Sequence, residues 1–495
     1  MTGDDFLSLV QGEKRPVIVP LCLEMPLPSL SPPDFFAGLS PLSGYLLESM
    51  EGPLRDARYS FIGLNPELVF SIGKTVHCEG NEELAHLFSN ISGHDPVGCI
   101  KDILGRLVVK GPPVPGFSGG LAGYCTYELA GALEPALGPL KTGTLPMARF
   151  MLSRECIAFD HLAGVLRIIC NALVTGASDP CDEYIRCHEK ILDLRNRMQA
   201  IESGGPRKES PASMVSPERT RSNLNQQEFT GMVERVQEHI RAGDIFQAVV
   251  SRRIDCEFDG DPFAIYRSLR RINPSPYMYY FNFGDMQVIG SSPEMLVRVD
   301  GRQVTTVPIA GTRPRGETPA EDRELEEALL GDEKERAEHT MLVDLARNDV
   351  GRVCRFGSVS VDQFMAVEKF SHVQHIVSTV NGELKESLHP CEAFSSCFPA
   401  GTVTGAPKIR AMQIISELEP AGRDIYAGAV GFIGFDLNLE FAIAIRTVVV
   451  RDGLASLQVG AGIVADSVAA REFEETEQKA GAMIKALAAA GSEGQ

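Results

Sequence analysis

Tryptophan is missing from all 495 residues and tyrosine occurs only ten times, so the chain carries no indole of its own. The twelve cysteines include no CxxC pair. Zinc therefore lacks its usual ligand spacing, and a reduced, cytoplasmic chain is the expectation. No uninterrupted apolar run approaches the ~18–20 residues of a membrane span. The most apolar stretch, FAIAIRTVVV, carries Arg446 in its middle. The opening residues, MTGDDFLSLVQGEKRPV, are acidic and lack the basic start of a signal peptide. Positive charge is in deficit, 47 basic against 66 acidic residues, for a formal net charge of −19. Such a surface repels phosphate backbones, which disfavours nucleic acid and anionic membranes as partners. A small anionic substrate stays possible if local cations or a metal offset the field. No GxSxG and no cysteine in a persuasive histidine context leave serine-hydrolase and thiol-protease chemistry unsupported. There is no GxxxxGK[ST], no GxGxxG after a strand, and no repeat of 20–50 residues.

What is present is an ordinary globular composition, 44% apolar and 23% charged. The length suits two or three domains, or one large core with a second lobe. The run ESGGPRKESPASMVSPERTRSN is rich in Ser, Pro, Gly and charge and shows no hydrophobic period. The expected division is thus an N-terminal part at 1–200, a linker at 201–223 and a C-terminal part at 224–491. The first part offers short β-branched or aromatic runs such as PVIVPLCLEM, YSFIGL and VLRIICNALV, and FSGGLAGYCTYEL reads as a glycine-rich approach into a helix. The second offers IFQAVVSRRIDC, YMYYFNF, MQVIGSS and EMLVRVD as successive antiparallel strands. AEDRELEEALLGDEKERAEHTMLVDLARND reads as helix with a break near Gly331-Asp332. YAGAVGFIGFDLNLEFAIAIRTVVV reads as a hairpin, and VAAREFEETEQKAGAMIKALAAA as a closing helix. Meanders of strands with long flanking helices indicate an α+β fold.

Several constellations bear on chemistry. Glu335 and Glu338 share one helix face, as do Glu472, Glu475 and Lys479 on another. Carboxylates on two helices fit a hard cation such as Mg²⁺, though spacing alone favours solvated helix faces. TVPIAGTRPRG (306–316) reads as an anion-holding loop through Gly311, Thr312, Arg313 and Arg315, with Ala310 an unexplained methyl in its middle. FPAGTVTGAPK brings Thr402, Thr404 and Lys408 to a turn that feeds a helix, where free N–H groups favour anions. Gly460, Ala461 and Gly462 end a strand where bare backbone can approach a ligand; an ordinary tight turn fits both segments too. His375, alongside His372, is either a structural histidine or a proton carrier. Arg446 inside an apolar strand needs a carboxylate, from a ligand or from the protein.

Taken in order, GDIFQAVVSRR, SSPEML, PIAGTRPRG, EHTMLVDLARNDVGRV, FPAGTVTGAPK, YAGAVGF, FAIAIRT, QVGAGIVADS and EETEQKA resemble the chorismate-utilising enzymes over roughly 225–490. LLES, RYSFIG and FSGGLAGYCTYE extend the resemblance to the large, synthase subunits of anthranilate synthases. The resemblance implies packed antiparallel sheets flanked by helices, with the active site in a cleft. It implies Glu338 and Glu475 as Mg²⁺ ligands, with Glu335 and Glu472 acting through water. Gly311, Thr312, Tyr426, Arg446 and Gly460 to Gly462 match chorismate-binding positions, and Lys479 and Thr404 line the same pocket. His375 matches the histidine of pyruvate elimination, and Glu294 the acid that protonates the leaving 4-hydroxyl.

Two positions separate the reactions within the family. Water-using relatives are similar in carrying a lysine where this chain has Gln247, and aminodeoxychorismate synthases in carrying one where it has Ala310. Direct attack by ammonia, Mg²⁺-dependent, followed by pyruvate loss to anthranilate, is the expected activity. Aminodeoxychorismate synthase, a 2-amino-2-deoxyisochorismate synthase and a non-catalytic tryptophan-sensing subunit are the alternatives. No glutaminase-like cysteine with His-Glu partners is present, so the resemblance implies a separate glutamine amidotransferase subunit, as a heterotetramer or similar. Leu47, Glu48 and Ser49, with Pro276, Tyr277 and Met278, match positions that bind L-tryptophan as a feedback inhibitor.

Overall fold

A computed structural model describes residues 1–50, 58–91, 95–205, 220–370 and 373–492. Most of the expected linker, 206–219, lies outside the described residues, and so does His372.

Among the described residues, thirteen strands form one sheet and eleven form a second. The first runs Thr220–Ser222, Gln247–Glu257, Leu454–Ile463, Thr447–Arg451, Met286–Ser292, Tyr277–Asn282, Gly44–Glu48, Tyr59–Leu64, Glu155–Asp160, Val165–Val174, Val17–Pro26, Val108–Val109. The short Gly405–Ala406 strand pairs with Gln247–Glu257. The second runs Ile309–Pro314, Val373–Glu383, Gln303–Thr306, Met295–Asp300, Leu439–Ile443, Ala429–Gly434, Gly120–Cys125, Ala148–Ser153, Leu68–Ile72, Val76–Gly80, with Ser360–Lys369 on Val373–Glu383. Pairing is antiparallel apart from Val17–Ile18 on Val108–Val109.

Both sheets run across the sequence division expected at 201–223. Gly44–Glu48 pairs with Tyr277–Asn282, Met278 opposite Glu48. Gly120–Cys125 pairs with Ala429–Gly434, Gly431 opposite Gly123. Between the sheets lies an aromatic layer that draws Tyr45, Phe61 and Phe281 from one and Tyr124, Met151 and Val430 from the other. Helices cover the outer faces. Pro180–Gly204, Pro262–Ile272 and Ala469–Ser492 lie on the first sheet, and Glu333–Val353 and Cys391–Cys397 on the second. The α+β expectation of packed antiparallel sheets flanked by helices holds.

Local chemistry explains the helix boundaries. Asn225 and Glu228 form a reciprocal capping box on Gln226–Arg241. The anticipated break at Gly331-Asp332 is an N-cap. Asp332 leaves the helical conformation and accepts from the Lys334 and Glu335 amides, so Pro319–Gly331 ends and Glu333–Val353 starts afresh. Two expectations change. The glycine-rich segment does lead into a helix, Leu129–Leu133, but its GLAGYC part is a fully buried strand. Its Gly123 is needed because a Cβ there would lie 2.0 Å from the Arg149 carbonyl of the next strand. Arg446 is not inside a strand either. The chain leaves the second sheet at Ile443 and enters the first at Thr447, with Arg446 at left-handed φ +50° in the crossing. Among the described residues no helix is long and apolar enough to cross a membrane.

Candidate active site

Helix Glu333–Val353 links the two sheets. Glu338 accepts from Gln247 Nε2 of the first sheet at 3.4 Å. One turn earlier, Glu335 lies against Gly311 of the second, where an added Cβ would come 3.2 Å from its Oε2. The Asp332 cap that starts this helix also takes Arg313 Nη2 at 2.9 Å. The same aspartate therefore orients both the acidic face and the strand that faces it.

The 306–316 segment is not a free anion loop. Ile309–Pro314 is a strand on Val373–Glu383, with a register shift between Ala310 and Thr312. Gly311 sits in that bulge at φ +63°, where a side chain would be strained. Both arginines are committed to protein carboxylates, Arg313 to Asp332 and Glu335, Arg315 to Asp322 through three hydrogen bonds. What the segment presents is backbone, together with Thr312 Oγ1 at 3.1 Å from His375 Nδ1.

His375 is buried, and its Nδ1 lies 2.9 Å from the Gly311 carbonyl oxygen. A carbonyl only accepts, so Nδ1 carries the proton and Nε2 keeps its lone pair. Burial lowers the imidazole pKa, the Gly311 bond raises it, and Arg446 lowers it again. Glu294 is buried as well. Burial pushes its carboxyl up to about 8, against opposing pulls from the Thr402 hydroxyl and Arg446. Arg446, at the crossing between the sheets, thus bears on both the acid and the histidine.

The Gly460–Gly462 segment pairs with Val249–Ser251. Gly460 leaves no room for a side chain, since a Cβ would lie 2.6 Å from Tyr426 Oη and 2.8 Å from the Val250 carbonyl. A Cβ on Gly462 would lie 2.9 Å from Gln247 Nε2. Lys479 donates to the Gly460 carbonyl at 3.0 Å and pairs with Glu475 at 2.6 Å, which brings the closing helix to the same segment. Tyr426 is buried and its phenol is pushed up to about 12.

The four expected acids crowd one another. Burial raises Glu338 first, then Glu335, with Glu475 adding to it. Burial and Glu475 also raise Glu472, against a bond from Ser467. A divalent cation offsets such crowding, and an all-oxygen donor set suits Mg²⁺ completed by water and a substrate carboxylate. Among the described residues no three His, Cys, Asp or Glu side chains are grouped to hold a metal unaided.

Thr404 meets the strand behind the Gly460–Gly462 segment through its backbone, its carbonyl accepting from the Val249 amide at 2.8 Å, opposite Gly462. It is fully buried, and its hydroxyl donates to the Ala400 carbonyl at 2.8 Å, which fixes the turn. Thr402, not Thr404, lines the cavity of about 40 Å³ beside Glu294, with Asp349 opposite; Asp349 in turn holds Lys408 at 2.8 Å. A second cavity, of about 820 Å³, lies between the sheets. Leu47, Glu48, Ser49, Pro276, Tyr277 and Met278 all line it. The Glu48 carboxylate is occupied by Tyr266 and by Arg270 at 3.0 Å, so it ties its strand to helix Pro262–Ile272. Sequence reasoning missed the buried Arg423–Glu419 pair behind Gly460. Glu419 is the C-cap of helix Lys408–Leu418 and Arg423 lies beyond the Pro420–Gly422 turn, so no helical or strand period marks the pair in the sequence.

Known proteins match this arrangement. Residues 68–485 fit the family described as chorismate binding enzyme. The chain is 44% identical to anthranilate synthase component 1 from Acetivibrio thermocellus, covering 96% of each. It is 42% identical to that of Bacillus subtilis (strain 168), over 95% of this chain and 92% of the other. The crystal structure of anthranilate synthase component I from Streptococcus pneumoniae TIGR4 superposes with TM-score 0.72 at 36% identity, covering 88% of this chain and 93% of that one. The menaquinone-specific isochorismate synthase of Escherichia coli, at 18% identity and TM-score 0.69 over 98% of each chain, shares the fold.

Proposed function

The chain belongs to the chorismate-binding enzyme family, alongside the component 1 chains of anthranilate synthase, and from that premise we propose that it converts chorismate and ammonia to anthranilate and pyruvate. One observation carries the reading: Glu294 and His375 are both buried within the field of one arginine, Arg446, and burial raises the pKa of the acid while it lowers that of the histidine. Glu294 keeps its proton to about pH 8, so it can give it to the departing 4-hydroxyl, which leaves as water. Ammonia adds at C2. His375, its Nδ1 proton on Gly311, has Nε2 free to take the C2 proton as the enolpyruvyl C–O bond breaks. Pyruvate departs and the ring becomes aromatic, which makes the last step strongly downhill.

Arg446, the Gly311–Thr312 backbone and the Gly460–Gly462 backbone bind the substrate carboxylates. Glu338 and Glu475 hold Mg²⁺, with Glu335 and Glu472 through water. When bound, the ion draws electron density from the ring carboxylate as the nucleophile adds. Gln247, donating to Glu338, cannot serve as a base toward water, and Ala310 offers no amine. Both features favour ammonia as the nucleophile.

A glutamine amidotransferase subunit supplies that ammonia. L-Tryptophan inhibits by filling the 820 Å³ cavity. That cavity also reaches Pro293, next to Glu294, and Ile309, next to Ala310, which gives the inhibitor a direct route to the acid and the bulged strand. Twelve unbridged thiols support a reducing, cytoplasmic setting.

Incubating the purified chain with chorismate, Mg²⁺ and an ammonium salt yields anthranilate, read by its fluorescence. No product overturns the proposal, and an unaromatised amine would assign a reaction that stops before elimination. With no indole in the chain, added tryptophan reports its own binding; an unchanged emission on titration removes the inhibitor from the reading.

A further inference from the structure

Arg423 and Glu419 form an ion pair whose side chains are 1% and 4% exposed. The guanidinium meets both carboxylate oxygens, at 2.6 and 2.9 Å. It also donates to two carbonyls on different elements, Val403 at 2.8 Å and Val249 at 2.6 Å. Glu419 Oε1 accepts from the Ser251 amide at 2.8 Å and from its hydroxyl at 2.7 Å. Ser251 Oγ in turn accepts from Gln458 at 2.7 Å. The guanidinium lies over the rings of Tyr127 and Tyr426, 4.7 and 5.5 Å from their centroids.

The register turns these contacts into a pattern. Val249 is opposite Gly462 and Ser251 opposite Gly460. One ion pair therefore grips, at Val249 and Ser251, the part of the strand that backs the glycine segment. It also fixes the turn at Val403 and the ring of Tyr426, whose hydroxyl abuts Gly460. A buried ion pair is a poor source of stability, because desolvation offsets its attraction and apolar replacements of both partners are often neutral. Directional control is what a guanidinium adds, since its donors leave in fixed planar directions that an ammonium does not reproduce.

We propose that the Arg423–Glu419 pair is a positioning device for the chorismate-binding face, setting the spacing of the Gly460–Gly462 backbone, the Val403 turn and Tyr426. The proposal rests on chorismate being the ligand of this cleft. The test uses the full chain carrying R423K, the paired R423M/E419M, or the milder S251A. Chorismate binding is measured by equilibrium dialysis with Mg²⁺ and no ammonium. Kinetics are then run with each substrate varied, alongside melting curves. R423K and the paired variant are expected to weaken chorismate binding about tenfold or more, and S251A roughly threefold, since such networks orient ligand groups within a fraction of an ångström. The ammonium KM is expected to stay within about twofold, because the pair's contacts fall on Val249, Ser251 and Val403 and not on Gln247 or Ala310, the two positions assigned to nucleophile choice. Wild-type chorismate affinity in folded R423K or in the paired variant overturns the proposal. So does a loss that affects both substrates equally and follows the fall in melting temperature. If R423K does not fold, S251A and the paired variant decide by the same criteria. Absence of chorismate binding by the wild type would instead overturn the substrate assignment, and the positioning role with it.

Discussion

Glu294 and His375 are tuned in opposite senses by the same burial, and their pH behaviour follows. In the proposed reaction the histidine acts unprotonated, so the rate should rise with pH through its lowered pKa, below the ordinary 6.5. The glutamic acid acts there as a proton donor, so the rate should fall as pH passes about 8. Glu294→Gln should abolish the alkaline limb of the kcat/KM profile and cut the rate roughly 10²- to 10⁴-fold; an unchanged limb would assign it to another group. The same residue bears on stability. Its ordinary value is 4.5 and its folded value about 8, so between these the folded chain holds a proton the unfolded chain has released. The contribution to stability therefore falls as pH rises through that window. Glu294→Gln should melt above the wild type at pH 8.5 and show the smaller gain at pH 5. His375→Met should accumulate the amino intermediate, followed by chromatography of the products, while equal loss of both steps would deny it the elimination. Ala310→Lys should reduce anthranilate formation. At this scale the motif residues were legible, because each is a short string of unusual letters. Arg313 and Arg315 were misread because a string shows a charge but not the carboxylates of the helices and their cap, Asp322, Glu335 and Asp332, packed against it. Arg446 was placed in a strand because a string does not show that the chain crosses between sheets there.

Helices and strands bring these residues together. Helix Glu333–Val353 owes its start to Asp332, which also holds Arg313. Asp332→Ala should lower the melting temperature through the lost cap and raise the Mg²⁺ concentration for half-maximal activity, as both Glu335 and Glu338 lose their aim. Unchanged metal dependence would confine Asp332 to a capping role. The break at Gly331-Asp332 was legible because capping chemistry is local. GLAGYC was not, since glycine ordinarily marks a turn, and what demands it here is the Arg149 carbonyl of a neighbouring strand. The buried Glu419–Arg423 pair escaped for a similar reason: it spans the Pro420–Gly422 turn after a helix, and its burial is decided by everything that packs over that turn.

The whole molecule is where the linear reading ran out. Composition and punctuation suggested two parts joined near 201–223, and the α+β class follows from the run of strands and helices. Which strands pair is set by partners far apart in the chain, and no local signal carries it. The inter-sheet cavity is built this way: Ser49 and Pro276 become neighbours only because Gly44–Glu48 lies on Tyr277–Asn282.

That pairing has a consequence during synthesis. As the chain leaves the ribosome, Gly44–Glu48 and Gly120–Cys125 emerge with one edge each unclaimed, and their partners at Tyr277–Asn282 and Ala429–Gly434 are made much later. Exposed edges of this kind recruit other strands, and distant pairings form slowly. The nascent N-terminal half therefore holds two open strand edges until the second half is made, the interval in which a chaperone would shield them.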